Sequence, residues 1–374
     1  MNLKEAIPAI ALAVLCVAMW FVPSVRPVAD DGGKPLRAKI VSVDNSAITL
    51  TGLLEYGTQN LEVELLAGEC AGCRFRASNE LRAQPDLDKK FAVGDTAVVT
   101  WPDEGVKDGD VLIARDHWRL GWMWLLFGSF CLLLVLFGGW TGAKALFSFV
   151  FSCFAVWKLL IPLCMNGWSP TFVSFVTVSA LTGVIMYLVA GFTRRGIGAF
   201  LGAMLGVLSS LVLAVFFTRV MHVTGATMPF AQSLIYSGYS SLNLADVFSG
   251  AVILASSGAL MDLAMDIAAG VDEVARHNPT LSFRELFLSG LRIGRSVVGT
   301  MTTTLLLAYS GGYLTLLMVF AAQGTAPMVF INSTLVSAEM VKTLVGSFGL
   351  VLVAPFTALV SAALAGHDLR RISR

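Results

Sequence analysis

The sequence predicts a polytopic α-helical membrane protein of about eight transmembrane helices, with a small extracytoplasmic β-barrel or β-sandwich domain after the first helix. Three observations predict it. Of 374 residues, 56% are hydrophobic and only 14% charged, and the mean hydropathy is +0.75, far more apolar than a soluble chain of this length. Apolar runs near the roughly 20 residues needed to cross a bilayer recur along the chain. One stretch, residues 30–117, breaks that pattern with alternating apolar and polar residues. The formal charge of +1 and the lack of a dense basic face exclude nucleic acid as a partner.

Residues 1–24 form the first element, an apolar run from Ile7 to Val22 behind Lys4. A cleavable signal peptide is the rival reading. Pro23, Arg26 and Pro27 follow the run and no small-x-small cleavage site stands out, which favours an uncleaved membrane anchor. From 30 to 117, the segments AKIVSVDNSAITL, QNLEVELLAG, RFRASNEL and DTAVVTWP alternate in period two between Gly, Asn and Asp turns, the pattern of short antiparallel strands. The domain contains no His cluster, no nucleophile beside a base and no Gly-rich phosphate loop, so catalysis is not expected there. Cys70 and Cys73 have CxxC spacing. A second CxxC or a His pair is missing, which argues against the four ligands of a structural zinc, and no βαβ context accompanies a thioredoxin-like motif. A local disulfide stapling a turn is the favoured reading and a pair of free thiols the alternative.

Residues 118–366 form the polytopic domain. The second span, Arg119–Trp140, opens on Trp118, Trp122 and Trp124, an interfacial aromatic belt. The third runs from Ala143 to Cys164, the fourth from Phe172 to Ala190 and the fifth from Gly198 to Phe217. In the fifth, Gly198, Gly202 and Gly206 recur every four residues, a stripe that lets another helix approach closely. The sixth is ADVFSGAVILASSGALMDLAMDIAAGVDE, Ala245–Glu273, the seventh Val297–Ala322 and the eighth Leu344–Ala365. The links MHVTGATMPFAQSLIYSGYSSLNL and GTAPMVFINSTLVSAEM are too apolar for ordinary loops and too broken for spans, and are expected to be short re-entrant or interfacial segments. HNPTLSFRELFLSGLRIGRS is expected to be an amphipathic helix lying on the cytoplasmic surface or packed under the bundle. With both termini cytoplasmic, Lys4, Lys144, Arg194, Arg195, the group Arg276, Arg284, Arg292 and Arg295, and the basic tail 367–374 all fall inside, which places the β-domain outside a bacterial inner membrane.

The sixth span carries the chemistry. Asp262 and Asp266 sit one helical turn apart, with Gly258 a turn before and Gly270 a turn after, on one face expected to point into the bundle. A carboxylate at that depth is a functional-site hypothesis, because an ionised one in hydrocarbon costs at least a few kcal/mol. The blander reading is that both aspartates mark the inner end of the helix. The seventh span supplies candidate second-line groups in Arg295, Thr300, Thr303, Thr304 and Tyr309. Hydroxyls in a span often bond only their own helix carbonyls.

These residues carry a resemblance. GALMDLAMDIAAGVDE at Gly258–Glu273, HNPTLSFRELFLSGLRIGR at His277–Arg295 and GTMTTTLLLAY at Gly299–Tyr309 resemble the YibE/F family of bacterial membrane proteins, over most of the chain from Lys39 onwards. The family pattern has an acidic residue after the second loop arginine; here Ser296 follows Arg295. The order Gly258-x-x-x-Asp262, acidic helix end, basic loop, Thr-Thr and Gly-Gly is also similar to the transmembrane core of SecD/SecF and the resistance-nodulation-division exporters. That similarity implies a proton-conducting role for Asp262. The expected function is therefore a proton- or sodium-coupled transporter or exporter component. The alternative is a non-transporting receptor or scaffold whose outer β-domain binds a partner. The four histidines, His117, His222, His277 and His367, are scattered, so a membrane enzyme is not expected, and no cofactor is implied. Expected partners are the lipid bilayer, a further copy or related membrane subunit, and an extracytoplasmic partner of the β-domain.

Overall fold

The computed structural model describes residues 33–372, apart from residues 69, 86, 104, 105, 107 and 108. The expected anchor, residues 1–24, lies outside them. The described residues divide into two compact units that meet along the chain at Leu133 and Leu134.

In the first unit, alternation of apolar and polar residues produces β1 (Gly33–Asp44), β2 (Ile48–Thr51), β3 (Leu54–Leu65), β4 (Arg74–Arg82), β5 (Thr96–Pro102) and β6 (Val111–His117). β1 pairs antiparallel with both β3 and β5, β5 with β6, and β3 with β4; β4 and β6 run parallel. Five strands thus close into a barrel, with β2 added beside β3. This is a five-stranded Greek-key barrel with the strand order of the OB fold. A register shift between Ile40 and Ser42 lets β1 bend from one neighbour to the other, the usual use of a bulge. One side of each of the five barrel strands fills the interior: Ala38 and Ile40, Leu61, Val63 and Leu65, Ala77, Ala97 and Val99, Leu112 and Ala114.

Two polar side chains join that core. Gln59 Nε2 donates to the Asn45 Oδ1 and to the Phe91 carbonyl, both at 2.9 Å. Gln59 Oε1 accepts from the Phe91 N–H at 3.0 Å and from Asn79 Nδ2 at 3.2 Å, while Asn79 Nδ2 also donates to the Lys89 carbonyl at 2.6 Å. These bonds seat the link between β4 and β5 on the barrel and sink Phe91 into its core.

The second unit and the chain leading into it are helical. In order come α1 (Leu120–Ala155), a π-helical turn (Val156–Leu160), α2 (Ile161–Met165), α3 (Pro170–Ala190), α4 (Arg194–Val220), α5 (Ala231–Tyr236), α6 (Leu244–His277), α7 (Phe283–Gly312), α8 (Leu314–Ala322), α9 (Pro327–Asn332) and α10 (Thr334–Ile372). Among the described residues, five helices are long and apolar enough to cross a membrane: Leu120–Met165, α3, α4, α6 and Thr334–Ala365. The pair α7 and α8, bent by 65°, makes a sixth if it is one broken span.

The expected second and third spans correspond to two helices that join at a kink at Gly139, beside the expected boundary; its φ of 53° and ψ of −129° are open to a residue without Cβ. Two differences from the expected arrangement have physical causes. The expected surface helix and the first part of the expected seventh span are one helix, α7, because Ser282 and Glu285 form a capping box that starts it early and nothing breaks it before Gly312; the rest of that span is α8, beyond the 65° bend. The last helix begins at Thr334, ten residues before the expected Leu344, so that its first turns take up part of the expected broken link.

Small residues bring the helices together. Gly198, Gly202 and Gly206 of α4 lie against Ser361, Thr357 and Val353 of α10, and Gly349 of α10 lies against Ser210 of α4. Gly290 and Gly294 of α7 meet Ala358 and Ala354 of α10, and Gly250 of α6 meets Ser174 of α3. Without a hydrophobic drive in lipid, such close backbone approach supplies the packing energy. The largest buried cluster joins α3, α4, α6 and α10, with Leu260, Leu263, Ala264, Ile267, Ala268 and Val271 of α6 in it.

Candidate functional site

α6 is held at both ends. Asn243 Oδ1 accepts from the Ala245 and Asp246 N–H groups at 3.1 and 3.3 Å, and Asp246 adds negative charge at the positive end of the helix. At the other end, Arg276 pairs with Asp272, and His277 Nε2 lies 2.7 Å from Glu273 Oε1.

Between those ends, Asp262, Asp266 and Gly258 lie on the outer surface of the bundle, not inside it. Among the described residues nothing lies within 4 Å of where a Cβ at Gly258 would stand, whereas Gly270 packs against Ile293 of α7. The expectation that Gly258, Asp262, Asp266 and Gly270 point together into the bundle is therefore overturned. The cause is the apolar period of the helix: Leu260, Leu263 with Ala264, Ile267 with Ala268, and Val271 recur at helical spacing and take the interior, leaving the carboxylates the opposite side. No hydrogen bond or ion pair joins Asp262 or Asp266 to another described residue.

The seventh-span residues divide into two groups. Thr300 Oγ1 donates to the Val297 carbonyl (2.9 Å), Thr303 to Gly299 (3.3 Å) and Thr304 to Thr300 (3.0 Å), so these hydroxyls are spent on their own helix, though all three residues face outward. Arg295 is exposed on the same helix. Tyr309 instead turns inward; its hydroxyl is buried without a hydrogen-bond partner among the described residues and lies 3.6 Å from where a Cβ at Gly346 of α10 would stand. Leu305 and the buried Ser256 of α6 border the same glycine.

Glu339 and Lys342 do not stand out in the sequence. They pair at 2.8 Å on the first turns of α10, each side chain about a quarter exposed. Their signal is an acid and a base three residues apart inside an apolar stretch, hidden because that stretch reads as a link. In the barrel, Cys70 and Cys73 lie on the β3–β4 turn without the expected disulfide between them, and the Cys73 N–H donates to the Cys70 carbonyl at 3.0 Å.

Long apolar helices packed through small residues, with carboxylates on one of them, define a multi-pass membrane protein. A family model described as YibE/F-like protein matches residues 126–367, more than half of the chain. The chain belongs to the YibE/F family. No curated protein and no solved structure matches it, so the similarity to SecD/SecF and the resistance-nodulation-division exporters has no support from these comparisons.

Proposed function

We propose that the protein is a proton- or sodium-coupled transporter or exporter component in which Asp262 and Asp266 carry the ion. One observation carries the reading: two carboxylates one turn apart on a helix long and apolar enough to span a membrane, with no charge partner among the described residues. A carboxylate so placed can exchange a proton or ligate a sodium ion as its surroundings alternate. The proposal includes an eight-span arrangement in a bacterial inner membrane, with cytoplasmic termini and an extracytoplasmic barrel, supported by the distribution of Lys and Arg. Tyr309 of α7, whose hydroxyl lies near Gly346 of α10, and the Glu339–Lys342 pair of α10 are the candidate polar path. The reading assigns no enzyme chemistry and no cofactor.

The test is proton and sodium flux in proteoliposomes of the purified protein. Flux in the wild type is expected to fall at least tenfold in Asp262→Asn and to be reduced in Asp266→Asn, with folding of each variant verified. Flux that both variants retain would sink the proposal. A receptor or scaffold role is the second reading, favoured by a cleft of 590 Å³ at the β4–β6 seam of the barrel. Asn79, Arg82, Asp88, Lys89, Ile113 and Arg115 are among the residues that line it. Wild-type liposomes without flux would favour that role.

A further inference from the structure

We infer that the outer face of α6 and α7 is completed in the membrane by the same face of a second copy of the chain, with Asp266 of each copy opposite Arg295 of the other. The inference rests on the α6 carboxylates lying within the membrane, and not on their carrying ions.

The outer surfaces of the helices differ in kind. α4 presents Ile197, Leu201, Leu205, Leu208, Val212 and Phe216, all large, apolar and exposed, a surface made for lipid chains. α10 does likewise with Leu344, Phe348, Val351 and Leu359. α6 exposes no large apolar side chain; its outer face is Ala251, Ala255, Gly258, Asp262 and Asp266. Small residues with carboxylates make a poor lipid surface and a good helix-packing one. The adjoining face of α7 has the same character, with exposed Arg295, Ser296, Gly299, Thr300 and Thr303.

The register of the two helices selects the occupant. A Cβ at Gly294 of α7 would stand 3.2 Å from Ile267 Cδ1 of α6, and Gly270 of α6 packs against Ile293 of α7. Asp266 and Arg295, each one residue from that crossing, therefore share one depth along the bundle. Asp262, about 6 Å further along α6, shares the depth of Gly299. A two-fold axis along the membrane normal preserves depth, so a second copy brings its α7 opposite the first copy's α6 in that register and makes each contact twice. Carboxylate then meets guanidinium and Asp262 meets the gap left by a glycine. The face is complementary in charge to itself, and for that reason the occupant is a second copy. The ion site of one chain would then include a residue of the other.

The test uses two differently tagged full-length copies co-expressed in one membrane and captured through one tag in a mild detergent. Wild-type copies are expected to capture each other. Asp266→Arg in both copies, or Arg295→Asp in both, should cut capture at least tenfold. Mixing an Asp266→Arg copy with an Arg295→Asp copy should restore it, since both contacts are then matched. Capture that survives either reversal overturns the inference. So does a failed mixture alongside rescue by both changes within one chain, because the pair would then be intramolecular. Wild-type copies that do not capture each other also overturn it and leave the face to the chain's own amino-terminal segment or another protein. If a reversed chain does not reach the membrane, Asp266→Asn and Arg295→Gln serve instead: each should weaken capture severalfold and the double variant no further, while additive losses count against the contact. Pairing without flux would leave this inference standing and remove the ion reading; flux in single copies would do the opposite.

Discussion

Gln59 uses every hydrogen-bonding position of its amide inside the barrel, two donated and two accepted. Removing it orphans the Phe91 N–H and carbonyl and loosens Asn79 together, and a buried polar group left unpaired costs about 1–3 kcal/mol. Gln59→Leu is expected to destabilise the barrel by roughly 2–3 kcal/mol, read as a lower urea midpoint, while Gln59→Glu tests whether shape alone suffices. Asp44, at the end of β1, gives a pH signature. The Ser46 backbone N–H donates to its carboxylate at 2.9 Å and holds its carboxyl below the usual range. The folded value lies below the unfolded one near 3.9, so its contribution is complete above that pH and fades as the pH falls towards the folded value. Asp44→Asn should make acid unfolding of the barrel less steep below about pH 4, and an unchanged slope would show the bond to be irrelevant to stability.

At the scale of elements, glycines separate two kinds of helix surface. A Cβ at Gly202 would come within 2.7 Å of the Thr357 Cα, a backbone atom that cannot move aside without shifting α10. Gly202→Ala should therefore loosen the α4–α10 contact and lower the thermal midpoint of the purified protein, at a cost of about 1–3 kcal/mol. Gly258→Ala meets nothing within 4 Å among the described residues, and the stability of the single chain should match the wild type. α6 itself is legible in the sequence: the helix observed from Leu244 to His277 contains the expected Ala245–Glu273 whole. The direction of its acidic face is not. Weighing only the cost of a carboxylate in lipid turns that face inward, whereas the period of Leu260, Leu263, Ile267 and Val271, read first, gives the interior to the apolar residues. The early start of α10, with Glu339 and Lys342, is obscured by the neighbouring Pro327 and Asn332, which make a short broken helix just before it. Strand positions in the barrel are legible from alternation alone, but its closure depends on long-range pairing of β1 with β5 and of β4 with β6, for which sequence spacing carries no signal.

Among the described residues, each of the two units has a buried core of its own. Every strand of the barrel finds its partners among β1 to β6, and its buried side chains come from those strands and the link that carries Phe91. A closed barrel also has few free edges for the rest of the chain to cover. Residues 33–118 expressed alone should then fold, with the marginal stability of a small domain, roughly 5 kcal/mol, and a urea dependence near 1–2 kcal/mol per molar. A single cooperative urea transition followed by far-ultraviolet circular dichroism checks this. A broad, non-cooperative loss of signal would show that the barrel depends on the helical unit. The Gln59→Leu change makes the comparison quantitative. If the two units are energetically separate, that substitution must lower the stability of the excised barrel and of the barrel transition in the full chain by the same amount. Distant, independent sites add to within about 0.5 kcal/mol. A clearly larger loss in the full chain would mean that the β4–β5 link also bears on the helical unit.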